Sequence, residues 1–268
     1  MNAKGLLEYF FQMSPWVDSN DTVDKVIIGD PEKPLSKILV VWQSSVKSIE
    51  HAIKGGYDAL ITHEPTFYAH SNELDYIDSL PEGSATKKAA IKKKCMIEEA
   101  GLVVIRLHDV WDRFPEYGIP SAWAKQLGIY SCPSIGARGD TQFMYTIPKT
   151  TVHDFAKRIA DSTKAKTCEV QIYGDPKKEV TKVGIGTGCY CEIDYFAGLG
   201  CDLFVLCDDG ALFWSDISRA NDMDIPAIRV FHATTEENGF KMLSEYMRQQ
   251  FKDIQTDHFQ FDTGVSFL

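Results

Sequence analysis

Short apolar runs separated by amphipathic stretches recur along this chain, and their spacing predicts its elements. KILVVWQ, Lys37 to Gln43, is a continuous apolar run of strand length. SVKSIEHAIKGG follows with helical periodicity and ends on Gly55 and Gly56, and YDALITHE is a second apolar run. KKAAIKKKCMIEEAG predicts a helix stopped by Gly101, and LVVIRLHD a third strand. Alternation of this kind predicts βαβ units and a parallel sheet.

A second series begins at KVGIGTG, Lys182 to Gly188, and continues through the helix EIDYFAGLG to the strand CDLFVLCDD. SDISRANDM is then expected to be helical and IPAIRVFH to be the last strand. The halves echo each other: Gly56-Tyr57-Asp58 before ALITHE parallels Gly200-Cys201-Asp202 before LFVLCDD. The expected fold is therefore α/β, with two related lobes, each a mostly parallel sheet flanked by helices. Residues 1–129 with 226–268 form one expected lobe and 130–225 the other. The Pro and Gly content from Tyr130 to Gly139 marks a boundary or linker. TTVHDFAKRIADST reads as an amphipathic helix, and KTCEVQIYGDPKK as a strand entering a turn. Thr234 and Glu237 have capping-box spacing for a final helix that carries Phe240, Leu243, Met247 and Phe251 on one face.

Composition narrows the function classes. With 44% hydrophobic residues the chain can bury a full core, and a net charge of -10 argues against general nucleic-acid binding, which needs a basic face. An acidic balance also attracts divalent cations locally. Seven cysteines, an odd number in a long chain, read as reduced thiols rather than a disulfide scaffold. The first residues show an amphipathic pattern at Leu6, Leu7, Phe10 and Phe11 without a signal-peptide core, and no apolar stretch is long enough for a bilayer. The expectation is a cytoplasmic protein without a membrane partner.

The chemistry gathers where strands end. Three apolar runs terminate in an imidazole with a carboxylate: His63 with Glu64, His108 with Asp112, and His232 with Glu236. In a parallel sheet the carboxyl ends of neighbouring strands share one edge, so residues distant in sequence meet there. Imidazole and carboxylate donors suit Zn, Fe, Mn, Co or Ni, and carboxylate-rich shells favour Mn or Mg. A helix N-terminus near Glu236 helps to keep that carboxylate ionised, and a carboxylate can bridge two ions.

DALITHEP, LHDVWD and FHATTEENG, in that order, with DLFVLCDDG before the last, resemble the Ngg-one interacting factor three-like family. Its members are toroidal hexamers with a dinuclear metal centre, known as GTP cyclohydrolase I type 2 homologs. The resemblance runs from KILVVWQ to the C-terminal helix and is weaker over the first thirty residues and over Tyr130–Lys182. It implies two divalent ions, one held by Glu64, Asp112 and Glu236, the other by His63, His232 and Glu236, with His108 close by. It also implies a homohexamer. The family's Thr-His-His-Pro segment reads Thr62-His63-Glu64-Pro65 here, so one site becomes all-carboxylate. Cys207-Asp208-Asp209 and GTGCYCE also depart from the family pattern, and the chain lacks the large inserted domain of longer members.

Other patterns have simpler readings. Gly184-Ile-Gly186-Thr-Gly188 lacks a full phosphate-binding fingerprint and reads as a tight βα turn. Cys189, Cys191, Cys201 and Cys207 read as buried thiols, KKAAIKKK as a solvated helix face, and Asp208-Asp209 as a turn after a strand. His51 is placed over the sheet or in solvent, and His70, His153 and His258 show no partner pattern. Two functions fit this reading. One is a metal-dependent hydrolase acting on a nucleotide or phosphorylated small molecule, with His108 or Asp109 as proton carrier. The other is a non-enzymatic metal-binding ring or a regulatory, partner-binding protein.

Overall fold

The computed structural model describes residues 1–137, 141–163 and 170–261. Helix α1 (Ala3–Gln12) starts where Asn2 accepts a hydrogen bond from the Gly5 N–H at 2.8 Å, and it buries Leu6, Leu7 and Phe10. β1 (Lys25–Ile28) leads to β2 (Lys37–Gln43), whose central residues are all buried. Helix α2 (Val46–Gly55) opens on a reciprocal Ser45–Ser48 capping box and closes on Gly56 in the left-handed conformation. β3 (Ala59–Glu64), α3 (Glu73–Ser79), α4 (Ala85–Glu99), β4 (Val103–Arg106) and α5 (Asp109–Asp112) follow.

The next elements are α6 (Ile119–Gln126), β5 (Ser134–Ala137), β6 (Gln142–Thr151), α7 (Val152–Thr163), β7 (Gln171–Tyr173) and β8 (Glu179–Ile185). Then come α8 (Ile193–Gly198), β9 (Leu203–Cys207), a π-helical turn over Phe213–Ile217, α9 (Ser218–Asp222) and β10 (Ala227–Val230). The chain continues through α10 (His232–Gln250) to β11 (Gln255–Phe259). Contacts divide these elements into two compact units, Met1–Phe114 with Phe240–Phe261, and Pro115–Gly239. Among the described residues, no helix is long and apolar enough to cross a membrane.

The first unit is built on a five-stranded sheet in the order β1-β4-β3-β2-β11, parallel throughout except for β1. Leu39, Val41, Leu60 and Val104 pack into one core layer with Ile49, Ala90 and Ile97 of the crossover helices. Alternate strand residues Ile38, Val40, Ile61 and Ile105 are buried as well, so both faces of the sheet are covered. Each fully buried Leu, Ile, Val or Phe contributes about 1.5–3 kcal/mol. The run KKAAIKKK was expected to be solvated, but Lys87 and Lys93 are buried while Lys88 and Lys92 are exposed. Helical spacing is the reason, since Lys87, Ala90, Lys93 and Ile97 all share the buried face of α4.

The second unit carries a six-stranded sheet, β5-β6-β8-β9-β10-β7. Its centre, β8-β9-β10, is parallel as expected, whereas the flanking pairs β5-β6, β6-β8 and β10-β7 are antiparallel. β9 buries both faces by simple alternation: Leu203 and Val205 enter one cluster, Phe204 and Leu206 the other. β10, grouped in the expectation with the first lobe, pairs within this second sheet. The expected linker contains β5, a short edge strand with Ile135 exposed, so it lacks the apolar run that signals a central strand. SDISRANDM divides between the π-helical turn and α9, with the Asp216 carboxylate accepting from the Leu212 N–H at 2.8 Å. Cys191, Cys201 and Cys207 are buried, but Cys189 is exposed because it lies in the turn beyond β8. Cys168, Gly139 of the linker and the start of the expected KTCEVQIYG strand lie outside the described residues.

Gly29 shows how closely the first unit is packed. Its φ is +100°, and an added Cβ would lie 2.7 Å from the Leu102 carbonyl oxygen and 2.8 Å from Val103 Cα. Gly83 has φ +76° with nothing within 4 Å of such a Cβ. By denaturant unfolding, Gly83→Ala should lose about 1–2 kcal/mol from backbone strain alone. Gly29→Ala should lose clearly more, and equal losses would show that the backbone at Gly29 moves aside freely.

Candidate metal centre

β3 and β4 run parallel in register, Ala59 opposite Val103 through Thr62 opposite Arg106, so their chains leave the sheet at the same level. That register brings the side chains following β4 up to His63 and Glu64. The His63 and His108 rings stack with centroids 4.1 Å apart and 7° between planes. Asp112, at the end of α5, reaches both histidines: its Oδ1 is 3.5 Å from His63 Nε2 and its Oδ2 is 3.4 Å from His108 Nδ1. His63 is 1% exposed, and its ring also packs against Phe240 at 5.0 Å between centroids.

Two overlapping donor groups result in the first unit. His63, Glu64 and His108 form one, and His108, Asp109 and Asp112 the other. Within each group the ligand atoms lie within 4.8 Å of one another. The hydrogen bonds around the imidazoles favour a metal-ligating tautomer. His63 Nδ1 makes a long contact of 3.5 Å to the Leu107 carbonyl, which can only accept; a proton on Nδ1 suits that contact and would let Nε2, which faces Asp112, serve as a metal ligand. A lone pair set against a carboxylate favours a cation between them. The donors thus fit a divalent ion.

Asp109 and Asp24 hold α5 in place from opposite electrostatic extremes. Burial opposes ionisation of Asp109, but hydrogen bonds from His108 and Thr22 and the Val23 N–H outweigh it and keep this carboxyl well below the usual range. The bonds are short: His108 Nδ1 to Asp109 Oδ1 is 2.9 Å, and Thr22 Oγ1 to Asp109 Oδ2 is 2.7 Å. Asp24, 3% exposed, accepts from the His108 and Val110 N–H groups, the latter at 2.8 Å, and so satisfies the first amides of α5. Burial nevertheless pushes its pKa up, against those two hydrogen bonds.

The second unit holds an imidazole–carboxylate pair. His232 begins α10 and Glu236 follows one turn later, with His232 Nε2 2.9 Å from Glu236 Oε2. Glu236 is 3% exposed. A Cβ on Gly188 (φ +51°) would stand 2.9 Å from Glu236 Oε1 and 3.2 Å from His232 Nε2. The glycine-rich turn is therefore also a wall of this pair, which its sequence reading as a bare turn did not include. Asp208 does more than turn the chain, since its carboxylate accepts from the His232 N–H at the start of α10. The expected capping box does not form: α10 starts at His232, which places Thr234 inside the first turn, and Asp208, just beyond β9, accepts from the His232 N–H instead.

His70, for which no partner was expected, stands edge-on to His108 at 5.3 Å, with its Nδ1 3.3 Å from an Arg106 guanidinium nitrogen. Burial, then the charge of Arg106, holds its pKa below the ordinary value. Asp24, Thr22 and His70 have no signal in sequence spacing.

An α/β chain with imidazole–carboxylate groups at its strand ends belongs to the class of candidate divalent-metal proteins. The Duf34/NIF3 (NGG1p interacting factor 3) family model matches residues 1–264, and the chain belongs to that family. It is 25% identical over 230 residues to a GTP cyclohydrolase 1 type 2 homolog of Chlamydia muridarum, covering 83% of each chain. Among solved structures, a hypothetical protein of Staphylococcus aureus is similar at TM-score 0.76 and 17% identity, over 100% of this chain and 99% of that one. A Bacillus cereus protein related to NIF3 reaches TM-score 0.77 at 14% identity, again over 100% and 99%. These structures share the fold.

Two substitutions test the scaffold around His108. Asp24→Ala leaves two buried N–H groups without an acceptor and should cost about 1–3 kcal/mol of stability by denaturant unfolding; no loss would mean that water replaces the carboxylate. Asp109 has a depressed folded pKa, so its stabilisation is present above the ordinary value of 3.8 and is lost as pH falls through the folded pKa. Wild type should therefore exceed Asp109→Asn in stability at neutral pH, with the gap narrowing as pH drops below 3.8. A gap that stays constant into acid would overturn this account of Asp109.

Proposed function

We propose that this protein is a dinuclear divalent-metal protein and a metal-dependent hydrolase of a nucleotide or phosphorylated small molecule. His63, Glu64, Asp112, His232 and Glu236 are the residues that would hold the ions, as the resemblance implies. The carrying observation is the clustering of His63, Glu64 and His108 donor atoms at level strand ends, supported by the His232–Glu236 pair and by family membership. The substrate class draws on the name of the Chlamydia relative, a GTP cyclohydrolase 1 type 2 homolog. Homohexameric assembly and a cytoplasmic location belong to the same proposal.

When bound, two such ions act as Lewis acids on a phosphoryl or ring-carbon electrophile and lower the pKa of water. The chain's own groups then divide the remaining work. Ionised Asp109, fixed by Thr22, holds the proton on His108 Nδ1 and leaves Nε2 to accept one from the reacting water. Asp109 is thus a positioning residue and His108 the proton carrier. Neighbouring His70, kept neutral by burial and Arg106, adds no positive charge beside it.

The proposal is tested on chelator-treated protein titrated with Mn or Zn, followed by a panel of nucleotides and phosphoesters that includes GTP. Two ions per chain should bind, at least one substrate should turn over, and Glu236→Ala should lose both properties. Failure of wild type to bind any metal sinks the reading. Two bound ions with a silent panel would replace the hydrolase by a metal-binding or regulatory role.

A further inference from the structure

Three buried ionic side chains outside the donor set converge on one loop. Arg106 ends β4 and is fully buried, Glu73 begins α3 at 3% exposure, and Lys93 lies on the inner face of α4 at 4%. The loop they meet, Pro65 to Asn72, follows His63 and Glu64 directly and contains no helix or strand. Its buried backbone groups need partners from elsewhere.

The charges supply them. Arg106 Nε donates to the His63 carbonyl at 2.8 Å, and its Nη1 donates to the His70 carbonyl. Lys93 Nζ donates to the Thr66 carbonyl at 2.8 Å and to the Ser44 carbonyl at 2.9 Å, and lies 4.4 Å from the centre of the Tyr68 ring. Glu73 accepts from the Phe67 N–H at 2.7 Å, and its other oxygen stands 3.8 Å from Arg106 Nη1. Ser44 lies just beyond β2, so Lys93 ties the exits of β2 and β3 together. The Ser44 hydroxyl donates to Thr66 Oγ1 at 2.6 Å across the same gap.

Stability alone does not account for this arrangement. Removing an ion from water costs several times what a neutral hydrogen bond returns, and apolar replacements of buried ion pairs are often neutral or stabilising. The strain registers at Lys93, whose ammonium is pulled down to about 8 by burial, with Glu73 opposing. A lysine and an arginine that donate to the carbonyls of His63, just before the loop, and of Thr66 and His70 within it fix its path. We infer that Lys93 and Arg106 are positioning residues that hold the His63–Glu64 backbone and its loop in the geometry that binds metal. This rests on the proposed ligand role of His63 and Glu64.

Cobalt(II) alone is the probe, with affinity and visible absorption as readouts on the full chain. Lys93→Met should weaken cobalt binding about ten-fold or more and change the cobalt spectrum, as loss of groups that orient ligands does. Lys93→Arg should restore part of the affinity. Arg106→Lys, which keeps the charge and loses the fork, should weaken binding independently. Hydrogen exchange at the Phe67 amide should quicken in metal-free Lys93→Met. Ile97→Val, a core change elsewhere on α4, serves as the stability control and should leave affinity and spectrum unchanged. Wild-type affinity and spectrum in folded Lys93→Met and Arg106→Lys would overturn this inference while leaving the metal site standing. An equal loss in Ile97→Val would overturn it too, by assigning the effect to general destabilisation. Wild type that binds no cobalt would instead sink the metal reading itself, and this inference with it.

Discussion

The in-register parallel ladder β2-β3-β4 is the constraint on which the first unit depends. Parallel strands send all their carboxyl ends to one edge, and each return needs a crossover, here α2 and then α3 with α4. Gln43 lies opposite Glu64, and Thr62 opposite Arg106, so three chain exits stand side by side. A shift of one residue would turn His63 to the other face of the sheet. Close packing opposes such a slip, because a shifted strand would bring side chains of other volumes into the layer of Leu39, Leu60 and Val104. The apolar pattern that makes the strands therefore also sets the height at which the donors emerge.

Around those exits the polar groups are sorted by environment. Asp24 and Asp109 both bond to the start of α5, yet their carboxyls shift in opposite directions. Asp24 is enclosed and has only backbone amides, so desolvation prevails. Asp109 is less enclosed and has His108 and Thr22, so hydrogen bonding prevails. The difference matters for His108, because an acceptor that stays ionised fixes the imidazole proton on one nitrogen. Lys93 extends the same logic to a cation: burial lowers its pKa, and two carbonyls and the Tyr68 ring compensate for lost water.

Much of this was legible in sequence where a single local pattern decides. KILVVWQ became β2 over the same residues, and His63, Glu64, His108 and Asp112 were singled out because each ends or follows an apolar run. β5 was not legible, because an edge strand needs no apolar run, and β6 was hidden by the polar residues that alternate along it. The buried lysines of KKAAIKKK looked solvated because a helix buries the one face that carries Lys87, Ala90, Lys93 and Ile97 without changing local composition. Asp24, Thr22 and Arg106 act through contacts 36 to 87 residues away in sequence, which no spacing rule reaches.

Glu64 brings a carboxylate to the strand-end donors of the first unit. It closes β3 opposite Gln43, is only partly buried, and shares its donor group with two histidines. A carboxylate there adds a negative charge and a hard oxygen to the donor group. Harder, more anionic shells favour Mn or Mg over Zn, and they hold a divalent ion through charge more than through directed nitrogen lone pairs. Charge is less directional than a lone pair, so the position of Glu64 depends more on its backbone than a histidine's would. Thr62 Oγ1 donates to the Glu64 carbonyl at 3.0 Å, and the neighbouring His63 carbonyl is held by Arg106. In the proposed centre, a softer geometric demand from the ligand is met by a stiffer main chain beneath it.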